Sequence, residues 1–142
     1  MSADWRTTQA AGRTGTRVPD IVPALVLRQR LAAFAGVPVD HVEPVEVVRY
    51  EPGGGYRLHH DGRHRVATLL AWLSDPEAYT GGGTDFPRAG GVHRGGMGDA
   101  ILWHNTRQTI HQALPVETGI KWVAVSFAQR QAVDTTKRSG EV

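Results

Sequence analysis

The sequence predicts a mainly β chain of the α+β kind: an antiparallel sandwich or barrel with one or two helices, one of them packed on the major sheet. Three observations carry this. One stretch, residues 19–36, holds apolar residues at helical spacing. After it, apolar residues recur at period two in short runs. Most of the 17 glycines cluster at 53–55, 81–83, 90–91 and 95–98, between those runs, where tight turns are needed.

Residues 1–17 are polar and show no periodicity, which predicts a loose arm. In PDIVPALVLRQRLAAFAG, Asp20 stands near a helix N-cap, Pro23 fits a first turn and Gly36 suits a C-cap. Leu27, Leu31 and Phe34 fall on one face of that helix, which predicts packing against a sheet. VEVVRYE is a predicted strand, ended by Pro52 and three glycines. RVATLLAWLSD is the most apolar stretch and predicts a central strand. GDAILWHN, the segment around TIHQA, and IKWVAVSFAQ complete the series. Trp72, Trp103 and Trp122 are expected to pack in the core. The sequence reads as one domain over 1–142, with a core of about 18–130 and a second loose arm at 133–142.

Composition narrows the chemistry. There is no cysteine, which excludes disulfides, thiolate zinc sites and cysteine nucleophiles. Any metal must be held by His, Asp or Glu, a donor set that suits iron, manganese or zinc. No apolar run approaches a membrane span and no leader-like h-region opens the sequence, so a cytoplasmic protein without membrane contact is expected. The net charge is only +2, and the basic residues are scattered without interleaved aromatics, so no nucleic-acid partner is expected.

Within that frame the segment YRLHHDGRHR, residues 56–65, stands out. In an extended backbone His59 and Asp61 point to the same side and can converge on one cation, while His60 points away. The pair alone is a weak signal. His111 offers a third ligand from another strand. Lys121 lies in an otherwise apolar strand, where an ammonium is costly to bury without an anionic partner. His60, His64, His93 and His104 read as surface or loop histidines.

Five segments also resemble one known family in its own order. YEPGGGYRLHHD resembles Y-x-x-G-x-x-Y-x-x-H-x-D of the prolyl 4-hydroxylase-like iron(II) and 2-oxoglutarate dioxygenases. RVATLLAWLSD is similar to R-x-A-T-L-L-x-Y-L-S-D, YTGGGTDFP to G-G-E-T-x-F-P, GDAILWHN to G-D-A-L-L-F-x-N, and HQALPVETGIKW to H-x-G-x-P-V-x-x-G-x-K-W. The resemblance spans residues 50–128 and implies the double-stranded β-helix, a jelly-roll of the cupin kind. It implies that His59, Asp61 and His111 hold Fe(II), that 2-oxoglutarate chelates the metal, and that Lys121, Tyr50 and Thr84 bind its distal carboxylate. The implied reaction hydroxylates an aliphatic C–H with O2, releasing succinate and CO2, with ascorbate as a reductant. Because Asp61 is present, hydroxylation is implied in place of halogenation.

Substrate contacts implied by the resemblance are Arg65, Phe127 and Gln129. The sequence departs from the pattern in four places. Gly83 replaces a glutamate, the loop between Asp61 and Arg65 is only GRH, Gln129 replaces a histidine, and the N-terminal region is short. The first three leave two substrate classes open, a peptidyl proline or other protein residue and a free amino acid or small metabolite. The last suggests a homodimer covering an exposed sheet face. The rival reading is a non-catalytic module that binds metal and 2-oxoglutarate as a sensor. Retention of Tyr50, Thr84 and Lys121 together argues against a plain metal binder.

Overall fold

The computed structural model describes residues 12–134. In order come β1 (Arg13–Arg17), α1 (Val22–Ala35), β2 (Glu46–Tyr50), β3 (Tyr56–His59), β4 (Arg65–Trp72) and β5 (Tyr79–Gly81). They are followed by β6 (Thr84–Phe86), β7 (Gly91–His93), β8 (Ala100–His104), β9 (His111–Ala113), β10 (Val116–Gly119) and β11 (Lys121–Gln129). A major sheet has the order β1-β2-β11-β4-β8, a minor sheet the order β3-β9-β6-β7, and β10 pairs with β5. All these pairings are antiparallel. The sheets face one another across a shared cavity, which is the double-stranded β-helix architecture implied by the resemblance.

Alternation along the strands divides the major sheet into two faces. The outer face carries Ala67, Leu69, Ala71, Ala124 and Ala128, and α1 lies on it with Leu31 fully buried. Small side chains on the sheet let the helix approach closely. The helix ends at Gly36, whose φ of 71° is the left-handed conformation that glycine adopts freely. Asp20 does not cap the helix: Ile21 is the N-cap, and Asp20 instead pairs with Arg28 at 2.9 Å. Phe34 stays 39% exposed and stacks on His104 at 4.4 Å, because this end of α1 reaches only the edge strand β8.

The inner face sets out the chemistry in rows. Arg13, Tyr50 and Lys121 lie side by side across β1, β2 and β11. Gly15, Val48 and Val123 form the next row, then Arg17, Glu46, Val125 and Leu70. Phe127, Thr68 and Trp103 follow, and Gln129 meets Arg65 beyond a bulge.

Two expectations need correction. Residues 13–17, expected in a loose arm, form the edge strand β1. Arg13 lines a cavity and the other positions of the strand are exposed, so it carries no apolar alternation to read. Residues 1–11 and 135–142 lie outside the described residues, as does most of the expected C-terminal arm. Trp122, expected in the core, is 41% exposed on the outer face, where Arg49 lies over its ring.

Candidate active site

Three side chains meet at one end of the cavity. The ligand atoms of His59, Asp61 and His111 all lie within 4.8 Å of one another. Asp61 Oδ1 is 3.4 Å from Nε2 of both histidines. The fold builds this convergence from the two facing strands β3 and β9. A bulge opposes the Tyr56-to-His59 step on β3 to the shorter Ala113-to-His111 step on β9, so both Tyr56 and His59 turn into the cavity. His60 lines the cavity but accepts from the Gly62 N–H and stands apart from the cluster.

Each member of the cluster is held from behind. His59 Nδ1 donates to the Arg57 carbonyl at 2.6 Å and His111 Nδ1 to the Thr109 carbonyl at 2.9 Å, which turns each Nε2 inward toward Asp61. Thr68 donates to Asp61 Oδ2 at 2.7 Å, and Asn105 Nδ2 donates to the Thr68 hydroxyl at 3.1 Å. Burial alone would raise the Asp61 carboxyl. Hydrogen bonds from His111, His59 and Thr68, together with the imidazole charge, outweigh burial and hold it well below the usual carboxylate range. His111 shows the reciprocal effect: burial pushes the imidazole down, and Asp61 pushes it up by more. Two imidazole nitrogens and one carboxylate oxygen on a single face, without sulfur, are a donor set that fits Fe(II).

At the other end stands Lys121, only 1% exposed. Nζ donates to the Gly82 carbonyl at 2.7 Å and lies 4.9 Å from the Tyr50 ring centre. It has no acidic partner among the described residues. Burial and then the nearby Arg94 guanidinium push its pKa down to about 8. Thr84 Oγ1 is buried without a hydrogen-bond partner. Burial raises the Tyr50 phenol, with Arg13 opposing, so the hydroxyl is retained as a donor. An unpaired buried ammonium and an orphaned hydroxyl together ask for an anion. The cavity between these groups and the triad, of about 210 Å³, is walled by Leu70, Val125 and Ala113, and 2-oxoglutarate fits it chemically end to end.

Arg65, Phe127 and Gln129 lie together; Arg65 and Phe127 line the cavity, and Arg65 is also engaged within the protein. It forms two hydrogen bonds with Glu43, at 2.7 and 2.8 Å, stacks over Phe127 at 3.8 Å and donates to the Asp61 carbonyl. Gln129 Nε2 donates to the same Glu43 carboxylate at 3.0 Å. Reading the sequence misses Glu43, along with Arg13, Glu46, Tyr56, Thr68 and Asn105. A glutamate at the inward place of VEVVRYE, where Val48 and Tyr50 share its face, is the available signal for Glu46. Trp103, expected in the core, is buried but also lines the cavity, 5.0 Å from the His111 ring. A side chain at position 83 would meet the exposed Val92 side chain, so the glutamate of the related pattern would require Val92 to move aside.

The comparisons with known proteins agree with this geometry. The model of the 2OG-Fe(II) oxygenase superfamily matches residues 45–129. The protein is 31% identical over 163 residues to prolyl 4-hydroxylase 1 of Arabidopsis thaliana, covering 93% of this sequence and 56% of that protein. It is 31% identical over 153 residues to the human prolyl 4-hydroxylase subunit alpha-3, covering 87% of this sequence and 26% of that one. It thus spans about half the length, or less, of these relatives. Among solved structures it resembles the viral collagen prolyl hydroxylase of Paramecium Bursaria Chlorella virus-1 in its 2OG complex. The TM-score is 0.69 at 26% identity, over 89% of this protein and 81% of that one. A Pseudomonas putida prolyl-4-hydroxylase shares the fold at a TM-score of 0.65 and 17% identity, over 89% of this protein and 76% of that one. With more than half its length matched by the family model and the strands in the order that the family's motifs require, the protein belongs to the 2OG-Fe(II) oxygenase superfamily.

Proposed function

We propose that the protein is an iron(II)- and 2-oxoglutarate-dependent hydroxylase acting on an aliphatic C–H of a small molecule or peptide. The observation that carries the reading is Lys121, an ammonium buried without a counter-ion at the far end of a cavity that begins at a His-Asp-His face. A site that only bound metal would have no use for it.

His59, Asp61 and His111 would hold the iron through Nε2, Oδ1 and Nε2. Thr68 occupies Oδ2 and so keeps Asp61 turned with one oxygen toward the metal. Lys121 would take the distal carboxylate of 2-oxoglutarate, with Thr84 and Tyr50 as neutral donors beside it. Leu70, Val125 and Ala113 keep water from the carbons between. With both groups bound, the chemistry supplied is oxidative decarboxylation: one atom of O2 ends in succinate, the other in the product hydroxyl, and CO2 leaves. Ascorbate would return the metal to its ferrous state after unproductive turnover. The collagen prolyl hydroxylase in its 2OG complex supports the cosubstrate assignment by likeness.

The test is an anaerobic titration with Fe(II) and then 2-oxoglutarate, followed by the weak visible metal-to-ligand band of the chelate. The band is expected in the wild-type protein, absent in His111→Ala, and shifted to much higher 2-oxoglutarate in Lys121→Ala. Iron binding without any band would remove the cosubstrate and leave a plain metal-binding module, and a band without succinate release on admission of O2 would favour the sensory module that binds metal and 2-oxoglutarate without turnover.

A further inference from the structure

Two arginine–glutamate pairs border the cavity, and they differ in kind. Arg65 and Glu43 are closed: two short hydrogen bonds join them, Gln129 adds a third, and the Glu43 side chain is 10% exposed. Arg13 and Glu46 are open. A single contact of 3.5 Å joins them, and their side chains are 22% and 29% exposed. Arg13 is the only ionic partner of Glu46 among the described residues. Both side chains line the cavity.

The register explains how the open pair forms. It sets Glu46 opposite Arg17, and Arg13 opposite Tyr50, two inward places further along. A side chain at position 15 would fall on the Glu46 carboxylate, so Gly15 is what lets that carboxylate lie back along β1 toward Arg13. Glycine weakens a strand interior and often marks a close approach. Arg13 in turn lies 5.2 Å over the Tyr56 ring, and Tyr56 packs 4.0 Å from His59. The pair therefore stands one aromatic ring from the metal face. Arg13 Nε also donates to the Tyr50 hydroxyl at 3.2 Å, which fixes the guanidinium near the cosubstrate end.

A partly exposed pair at that distance contributes little to stability. A ligand that carries both charges can replace each partner with a better one. A carboxylate matches the planar guanidinium fork, and an ammonium matches the glutamate. One common headgroup carries both on a single carbon, the free α-amino acid. A residue inside a peptide carries neither charge. Volume points the same way. The cavity of about 210 Å³ falls below the range of about 300–1,000 Å³ usual for ligand sites, and it must also admit 2-oxoglutarate.

We infer that the substrate is a free α-amino acid, its carboxylate held by Arg13 and its ammonium by Glu46, which leaves its side chain for the metal face. The inference rests on the hydroxylase reading above. In that reaction one oxygen atom of O2 is inserted into a C–H bond of the amino-acid side chain, giving C–OH. The other oxidises 2-oxoglutarate to succinate and CO2, so no further reductant is needed.

The test uses the intact protein loaded with Mn(II), titrated calorimetrically with the proteinogenic L-amino acids, with and without 2-oxoglutarate. Any amino acid that binds is compared with its N-acetyl amide and with a proline-rich peptide. The expected result is at least one free amino acid that binds about tenfold or more tightly than its capped form. Glu46→Gln should weaken the free form about tenfold and narrow the gap to the capped form, and Arg13→Lys should do likewise, with thermal melting confirming that each variant folds. The inference is overturned if no free amino acid binds in either state, if capped forms or the peptide bind as well as free ones, or if both variants leave the ratio unchanged. The separate 2-oxoglutarate titration distinguishes the two claims. If 2-oxoglutarate fails to bind while an amino acid still does, the hydroxylase reading falls and the amino-acid site stands. The converse outcome removes only the amino-acid site.

Discussion

The Thr68 hydroxyl donates to Asp61 Oδ2 at 2.7 Å while Asp61 Oδ1 faces Nε2 of both histidines at 3.4 Å. One carboxylate is thus divided between a fixed oxygen and a free one. Partners behind metal ligands typically matter by about 10- to 100-fold in metal affinity. Thr68→Val should therefore weaken Fe(II) or Mn(II) binding about tenfold or more, and Thr68→Ser should restore it. Competition against a coloured chelator reads this directly. Equal affinity in wild type and Thr68→Val would show that Asp61 needs no such anchor.

Lys121 should trade stability for ligand binding. Its ammonium is buried with a carbonyl and a ring as neighbours. Lys121→Met should raise the stability of the ligand-free protein, by about 1–3 kcal/mol, because it removes a buried charge and keeps the volume. The same change should weaken 2-oxoglutarate about 10- to 100-fold, the worth of a charge-assisted hydrogen bond. Melting curves with and without 2-oxoglutarate check both halves. A variant less stable than wild type in the absence of ligand would mean that the Gly82 contact outweighs desolvation.

Much of this is legible in the sequence, for physical reasons that can be named. The strands β2, β4, β8 and β11 announce themselves because one or both faces are buried, so their apolar pattern has to show. The triad shows because metal chemistry restricts its residue types, and Lys121 shows because a lysine among valines is conspicuous. The strand β1 does not show, since Arg13 faces a cavity and the rest of the strand is exposed, so no apolar alternation marks it. Glu43 is invisible for a different reason. Its role depends on Arg65, 22 residues away, and on Gln129, 86 residues away, and no local pattern reports such a meeting. Arg65 reads from the sequence as a bare cation; that it lines the cavity while paired with Glu43 shows only in the structure.

That occupancy makes a prediction of its own. Glu43 accepts from Arg65 twice and from Gln129 once, and Arg65 also holds the Asp61 carbonyl. Removing one member of a mostly buried pair leaves the other uncompensated, at about 3–5 kcal/mol. Glu43→Ala should approach that cost, whereas Glu43→Ala combined with Arg65→Met should cost clearly less than the sum of the single changes. A double-mutant cycle by denaturant unfolding measures the coupling. Additive losses would mean that Arg65 and Glu43 act separately, and would return Arg65 to the substrate.

The pH dependence of 2-oxoglutarate binding follows from the state of Lys121. Burial and Arg94 push it down to about 8 from an ordinary 10.5. Between those values the unfolded protein binds more protons than the ligand-free native one, so the stability of the ligand-free protein should rise with pH through this window. A bound carboxylate favours the ammonium and moves the pKa back up. Below about pH 7 the lysine is already charged and affinity should be flat in this respect. Above about pH 8 binding must take up a proton, and affinity should fall by up to about tenfold per pH unit. Titrations at saturating metal, repeated in buffers of different ionisation enthalpy, detect the proton directly. The slope should vanish in Lys121→Met. A slope that persists in that variant would place the titrating group elsewhere, and binding that strengthens with pH would contradict a carboxylate partner for Lys121.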